Sequence, residues 1–315
     1  MSSLRALSEP RHACHACGAC CHGNQVRLVG GEEEARIRTL GEALSVRDPV
    51  VQGRLRFVDG RCVFLGDDLL CDLHKNFGSC AKPVLCRQYP AVLVHTESED
   101  RLGIDPGCMI HYRDWNDGDL LPANAPLLPS ASVLEPAQVA FERAFLAAAG
   151  RKDATIKGLL ALLVNLDPAS ELPAGLASRW VRRLRGARLR TVLARPEIGS
   201  PVREALEPLA RAVEGWDMND PPPCPKLTRE QEAFAIEVCR RLVFLRLVPS
   251  LPVVQAVALL SLLGAVAAGW TDAEPDAFGR AVTSWSHALR SSVFWSSLVP
   301  SAEAWEELVG GSLQA

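Results

Sequence analysis

The sequence predicts a mainly α-helical protein of the α+β class, in which a small, irregular, metal-bound cysteine-rich module with short strands precedes an all-helical part. Nine of the eleven cysteines and six of the seven histidines lie between His12 and His111, in less than a third of the 315 residues. From about Ser130 onward, Ala, Leu, Val and Arg dominate with helical periodicity. We therefore place the module at residues 1–120 and a helical domain at residues 130–315.

Composition excludes several classes of protein. With 48% hydrophobic residues, 23% charged residues and a net charge of -3, the chain is typical of a globular protein rather than a disordered one. Basic and acidic residues number 14 and 17 in residues 1–120 and 20 and 20 in the rest, so charge gives no strong nucleic-acid signal. The start MSSLRALSEPRHAC lacks the apolar run of a secretory signal, and we expect a cytoplasmic protein. In that reducing compartment, clustered thiols favour metal or redox chemistry over disulfides.

Short elements are predicted in the module. NQVRLV is typical of a strand, and GEEEARIRTLGEAL, with three glutamates in its first turn, is typical of a helix. The runs CVFL and LLCDL flank the turn-forming residues Gly66, Asp67 and Asp68, which predicts a hairpin. That hairpin would place Cys62 and Cys71 near one another.

The second part predicts long helices, such as EPAQVAFERAFLAAAG and SPVREALEPLARAVEGW. Pro221 to Pro225 form a linker, after which Thr228 and Gln231 make a capping-box pattern that opens a further helix. Residues 247–271 carry no charge and are long enough to cross a bilayer. Prolines break this run and small residues dilute it, so we expect a buried core helix there and favour no membrane span.

The cysteine spacing indicates metal binding. Cys14, Cys17 and Cys20 follow the pattern C-x2-C-x2-C, which brings sulfurs to one side of the chain and also begins the run that holds cubane iron–sulfur clusters. The next position at that spacing is Asn24, so a fourth ligand must be Cys21 or a distant residue. Because adjacent side chains often diverge, Cys20 and Cys21 favour two neighbouring sites over one ion.

Further cysteines extend the candidate set. Cys62, Cys71, Cys86 and Cys108 bring it to eight, enough for two four-thiolate sites or for one larger cluster with spare ligands. The remaining cysteines are weaker candidates: Cys80 has no partner at ligand spacing, Cys224 lies in the proline-rich linker, and Cys239 lies inside a helix. Among the histidines, His15 and His22 are nearest to the thiols.

The ordered motifs CHACGACCHG, GRCVFL, CDLH and AKPVLCRQYP, followed by the pair Gly107-Cys108, resemble the bacterial YkgJ-like cysteine-cluster family of zinc- or iron-chelating domains. The resemblance covers roughly residues 12–112. It adds Lys82, Pro83, Arg87 and Pro90 as motif positions. It implies metal ligation by Cys14, Cys17, Cys20, Cys21, Cys62, Cys71, Cys86 and Cys108.

The family also includes flagellin lysine N-methylase-like proteins. That resemblance implies an iron–sulfur protein that transfers a methyl group from S-adenosylmethionine to a protein substrate such as flagellin. The chain itself has no glycine-rich nucleotide-binding turn after a strand, and its residues indicate no catalytic base and no cofactor-binding position. Two hypotheses follow: a lysine N-methylase-like enzyme, or a non-catalytic zinc- or iron-chelating module for metal handling or protein interaction. We expect an iron–sulfur cluster, with 4Fe-4S favoured, over zinc.

One basic segment stands apart from the cysteines. SRWVRRLRGARLRTVLAR, residues 178–195, carries seven arginines and no acid. It is either a docking surface for an acidic partner or RNA, or a solvated helix face neutralised by neighbouring helices. The second interpretation is favoured, because no series of aromatic residues accompanies the arginines.

Overall fold

The computed structural model describes most of the chain. The described residues are 4–12, 17–22, 26–108, 119–120, 127–164, 174–195, 198–217, 222, 225–248, 254–271 and 275–309. Cys14, His15, His111, Cys224 and most of the predicted linker Pro221 to Pro225 lie outside these residues.

In the described residues, the amino-terminal part combines short strands with three α-helices. The strands are β1 (Leu4–Arg5), β2 (Arg11–His12), β3 (Val50–Val51), β4 (Arg54–Leu55), β5 (Phe57–Val58), β6 (Arg61–Cys62), β7 (Ala91–His95), β8 (Asp100–Ile104), β9 (Asp119–Leu120) and β10 (Pro129–Ala131). The helices are α1 (Gly30–Ala43), α2 (Asp72–Phe77) and α3 (Val84–Gln88). These strands are two to five residues long, as predicted for an irregular module with short strands.

One four-stranded sheet organises this part. Its strand order is β1-β8-β7-β10, with β7 and β8 antiparallel and each edge strand parallel to its neighbour. The register runs from Ala91 opposite Ile104 to His95 opposite Asp100. The pairs β2-β9, β3-β4 and β5-β6 form separate antiparallel ladders.

Helix α1 follows the predicted boundaries closely. Near its start, the buried Glu33 carboxylate accepts hydrogen bonds from the backbone N–H of Val29, at 2.6 Å, and of Val84, at 2.7 Å. A carboxylate at a helix amino terminus satisfies orphan donors and complements the helix dipole. Glu33 thereby ties α1 to the start of α3.

Two predictions for the module need correction. In NQVRLV, the described residues from Val26 onward form one isolated bridge, Arg27 to Arg54, because the β3-β4 ladder beside them has two residues per strand. CVFL and LLCDL do not form paired strands either. A single bridge joins Leu65 to Cys71, because the chain turns into α2 directly after Cys71.

After Ala131, the described residues contain helices and no strand. The helices are α4 (Pro136–Ala149), α5 (Ile156–Leu163), α6 (Ala174–Gly186), α7 (Leu189–Leu193), α8 (Ser200–Gly215), α9 (Arg229–Phe244), α10 (Val254–Gly269), α11 (Pro275–Ala288), α12 (Ser292–Leu298) and α13 (Ala302–Val309). The predicted α+β class is confirmed. Helix α9 opens with the predicted capping box, in which Thr228 and Gln231 bond reciprocally.

Helix α10 lies at the centre of the helical core. Fourteen of its sixteen residues are buried, which confirms the predicted core helix. Gly264 allows the Trp285 ring to lie directly on the helix, where a Cβ atom would overlap the indole. The Trp285 indole N–H donates to the Leu260 carbonyl at 2.9 Å, and the Trp180 indole N–H donates to the Leu263 carbonyl at 3.0 Å. In the described part of the chain, no helix has both the length and the apolar character to span a membrane.

The arginine-rich segment is bound at several points to the helical part. Arg179 and Arg185 donate to backbone carbonyls, Arg183 pairs with Glu307, and Arg190 pairs with Glu214. These contacts agree with the expectation that neighbouring helices neutralise the segment. The docking surface remains a prediction.

A buried network of ion pairs joins the sheet to the helices. Arg101 of β8 donates to both carboxylate oxygens of Glu142 on α4, each at 2.9 Å, and to the Phe244 carbonyl at the end of α9. Arg246 donates to the same carboxylate at 2.9 and 3.0 Å and also binds Glu97. Burial alone would raise the pKa of Glu142, but the hydrogen bonds from Arg246 and Arg101 outweigh it and lower that pKa. The Glu142 side chain is 1% exposed, so these bonds replace its contact with water.

Replacing Glu142 by Gln should destabilise the protein by up to about 3–5 kcal/mol, because Arg101 and Arg246 would lose the buried carboxylate that they share. The more exposed carboxylates of Glu99 and Glu97 would then be their remaining ion-pair partners. Urea unfolding followed by circular dichroism measures this change. Asp153→Asn is the matched control, since Asp153 pairs with Arg151 at an exposed position, and it should leave the free energy of unfolding nearly unchanged. Equal losses in the two variants would contradict the structural role of Glu142.

Candidate metal centre

Five of the predicted ligands line one cavity of about 270 Å³ in the amino-terminal part. They are Cys20, Cys21, Cys62, Cys71 and Cys86. The rest of the wall is mainly apolar. The nine cysteines that the structure describes are all thiols rather than disulfides. Residues that are far apart in the sequence therefore converge on one thiol-lined space.

Different local structures position these thiols. Cys20 and Cys21 lie on a short 3₁₀ turn, Ala19–Cys21, which the chain enters through Gly18 at a φ of 69°. A residue with a Cβ would be strained there, and glycine is not. Cys62 ends β6, and Cys86 lies in the middle of α3. The cavity thus collects side chains from a turn, a strand and a helix.

A tight loop brings Cys71 to the same cavity as Cys62. Arg61 fixes this loop by donating to the carbonyls of Leu65, at 2.8 Å, and Gly66, at 2.7 Å. Cys71 then occupies the N-cap position of α2. The predicted proximity of Cys62 and Cys71 is therefore reached through a turn that one antiparallel bridge, Leu65 to Cys71, closes, without the longer paired strands that were predicted.

The adjacent cysteines face the same way. The Sγ atoms of Cys20 and Cys21 are 4.0 Å apart, and both line the cavity. With zinc–sulfur bonds of about 2.3 Å, two thiolates on one tetrahedral ion are about 3.8 Å apart. The expectation that these neighbouring side chains diverge is wrong, because the 3₁₀ turn rotates both toward the cavity. One ion can therefore contact both sulfurs.

The thiols of this pair differ in acidity. The hydrogen bond from Cys21 and, to a smaller extent, the positive charge of Lys82 together lower the pKa of Cys20 to about 7 against the opposing effect of burial. The same hydrogen bond and burial raise the pKa of Cys21. Cys20 is thus the more readily ionised member of the pair.

Burial dominates the acidity of the deeper thiols. It raises the pKa of Cys62 to about 12 and that of Cys86 to about 12. Lys82 acts in the opposite direction on Cys86, but its effect is smaller. Without metal, these two thiols hold their protons at neutral pH, and a bound metal would have to displace them.

The wall of the cavity also carries cationic and polar side chains. Lys82 and Tyr89 come from the amino-terminal part, whereas Arg290 follows α11 in the helical part. Burial, with a smaller effect from Asp105, raises the pKa of the Tyr89 hydroxyl well above its ordinary value. Sequence patterns indicated Lys82 as a motif position but gave no signal for Arg290, which lies far from every cysteine motif.

The remaining predicted ligands lie elsewhere or outside the described residues. Cys108 is half-buried and does not line the cavity. Its electrostatic neighbours include Tyr89 and Arg290. Cys17 is half-buried just before the 3₁₀ turn, and it too is not part of that wall. Cys14 is not among the described residues.

The weaker candidates are spread over the molecule. Cys80 is exposed, and Cys239 lies in the helical core, where its thiol donates to the Ala258 carbonyl at 3.6 Å. His22 contacts the helical part instead of the cavity, with its Nδ1 atom 3.3 Å from the Ser200 hydroxyl. None of these three side chains lines the cavity.

The donor set fits a thiophilic metal. Soft thiolate ligands select zinc, copper(I) or iron–sulfur centres. Within the described residues, however, no group of three or more Cys, His, Asp or Glu side chains is arranged to hold a metal ion. The thiols surround a cavity instead of converging on one point. A metal centre here would have to draw them inward or span the cavity.

Comparison with known proteins identifies the amino-terminal segment. Residues 13–109 match the CxxCxxCC family model, described as "putative zinc- or iron-chelating domain". We name this segment, which is similar to that family, the cysteine-cluster domain. The match confirms the resemblance inferred from the cysteine motifs, and it contains Cys14, Cys108 and all five cavity thiols of the cysteine-cluster domain.

The family match covers less than a third of the 315 residues, so the helical part lies outside it. Neither the curated proteins nor the solved structures compared with the chain gave a match. The helical part therefore contributes to the cysteine-cluster domain through the contacts between the two.

His287 should make the stability of the protein depend on pH. Burial, with a smaller effect from Arg290, lowers the pKa of its imidazole to about 4, while Asp105 and a hydrogen bond to the Gly107 backbone act in the opposite direction. The unfolded chain, with an ordinary histidine pKa near 6.5, binds the proton more readily. This contribution is therefore complete above about pH 6.5 and is lost as the pH falls through about 4, a change of about 3 kcal/mol.

Urea unfolding of the metal-free protein between pH 7 and pH 4 measures this dependence. His287→Gln cannot titrate and should lose less stability over the same range than the wild type. Other acidic groups titrate equally in both proteins, so the difference between the two curves isolates His287. Parallel curves would rule out a buried neutral imidazole.

Proposed function

We propose that the protein is a metal-binding protein whose cysteine-cluster domain holds zinc or iron through the cavity thiols. The observation that carries this proposal is the convergence of five cysteines from four separate segments on one cavity. Buried thiols scattered by packing alone would not share a wall. The family match to a zinc- or iron-chelating domain over the same segment supports it independently.

We further propose that the centre contains more than one metal atom and is an iron–sulfur cluster. A single tetrahedral ion takes four protein ligands, whereas five described thiols face this cavity, and Cys14 and Cys17 belong to the same motif. Thiolates that surround a cavity can bind a cluster that spans the cavity more readily than they can bind a single ion at one point. The spacing C-x2-C-x2-C of Cys14, Cys17 and Cys20 also favours such a cluster.

Methyl transfer to a protein substrate stays a prediction from the sequence resemblance. No catalytic base and no pocket for S-adenosylmethionine is assigned among the described residues. Metal binding is therefore the function that the geometry supports best.

Anaerobic isolation should yield a brown protein that contains iron and acid-labile sulfide in similar amounts. Metal analysis by mass spectrometry and a colorimetric sulfide assay measure both. Bound zinc without sulfide would overturn the proposed iron–sulfur cluster but support the proposed metal-binding domain. Protein that binds neither iron nor zinc under reducing conditions would overturn the proposed function.

Single Cys→Ser changes should separate ligands from the other thiols. Cys62→Ser and Cys86→Ser should lose most of the bound metal and lower the stability of the cysteine-cluster domain, because metal binding and folding are coupled there. Cys80→Ser is the matched control, since Cys80 lies in the same domain but is exposed and does not line the cavity. Metal content equal in all three variants would refute the assignment of the cavity thiols.

A further inference from the structure

A residue from outside the cysteine-cluster domain forms part of the cavity. Arg290 lines the same space as the five thiols, although it follows α11 in the helical part. Its guanidinium makes a two-point ion pair with the Asp105 carboxylate, through both terminal nitrogens. The Asp105 side chain is 3% exposed and the Arg290 side chain 22% exposed.

The ion pair is oriented. Arg290 belongs to the cavity wall and Asp105 does not, so the positive member of the pair is the one that borders the thiol-lined space. Asp105 also accepts a hydrogen bond from the Gly107 backbone N–H at 2.7 Å, which further occupies its carboxylate. Arg290 Nε is buried without a hydrogen-bond partner among the described residues.

Burying this ion pair costs free energy unless its charge stabilises another group. Removing a charged pair from water is expensive, and apolar residues of similar size often serve stability at least as well. A centre of four or more thiolates carries more negative charge than its metal offsets, and it lies in a largely apolar cavity. A fixed guanidinium at the wall would lower the energy of that charged state.

We propose that Arg290 is a positioning residue of the metal centre: held by Asp105, it supplies from the helical part a positive charge that stabilises metal-bound thiolates in the same cavity. The inference rests on the proposed metal-binding function. It means that the metal centre extends beyond residues 13–109 and that the helical part completes it.

The backbone of Asp105 also positions Cys108. The Cys108 backbone N–H donates to the Asp105 carbonyl at 3.1 Å, so the turn that holds Arg290 also holds this cysteine. Cys108 has Tyr89 and Arg290, two residues of the cavity wall, as electrostatic neighbours.

The test measures the zinc affinity of the full chain by competition with a chromophoric chelator under reducing conditions. Arg290→Met keeps most of the side-chain volume and removes the charge, and it should weaken zinc binding about 10–100-fold. Arg290→Lys keeps the charge and should restore most of that affinity. Arg182→Met is the matched control, because Arg182 is an exposed arginine of α6. The zinc affinity of this variant should equal that of the wild type.

Thermal unfolding of each metal-free variant separates binding from folding. A folded Arg290→Met with wild-type zinc affinity would overturn the inference, even if its melting temperature falls. An equal loss of affinity in Arg290→Met and Arg290→Lys would also overturn it, since charge would then not be the cause. If Arg290→Met does not fold, Arg290→Gln replaces it, and zinc affinity equal to that of Arg290→Lys would be decisive against the proposal.

The wild-type measurement keeps the two proposals apart. A wild-type protein that binds neither zinc nor iron refutes the proposed function and the role of Arg290 with it. A wild type that binds zinc as tightly as a folded Arg290→Met refutes the role of Arg290 alone.

Discussion

The buried ion pair between Arg101 and Glu142 is the contact on which the arrangement of the two parts depends. It fixes β8 of the sheet against α4 of the helical part, and Arg246 completes it from the end of α9. Strand β8 leads directly to Asp105, and the helices that pack on α9 include α11, which precedes Arg290. The network therefore sets where Arg290 meets the cavity of the cysteine-cluster domain.

The cavity itself shows how an irregular domain can place ligands accurately. Strands of two residues cannot hold five thiols by their ladders alone. Instead, Gly18 permits the 3₁₀ turn that aligns Cys20 with Cys21, and Arg61 fixes the loop before Cys71. Without metal, the deeper thiols retain their protons because burial raises their pKa. A bound metal would replace those protons and join segments that few backbone hydrogen bonds connect, which is why metal content and stability should change together.

The helical part is more than a neighbour of the metal-binding domain. Its core surrounds α10, whose burial requires the close approach of Trp285 at Gly264. Helix α11 places His287 near Asp105 and Arg290, and the residues directly after the helix bring Arg290 to the cavity wall. A core that fixes α11 in this way also fixes the distance between a positive charge and the thiols.

The sequence by itself determined the α+β class, the cysteine-rich segment and the core helix, because composition and periodicity act locally and do not depend on distant contacts. It also identified Cys62, Cys71 and Cys86 as candidate ligands from their motifs. Only the tertiary structure decided that Cys20 and Cys21 face one cavity, since side-chain direction depends on the backbone of the turn. Nor could the sequence indicate Arg290. Its role follows from the packing of α11 against the rest of the chain, and no local pattern encodes a contact made across such a sequence separation.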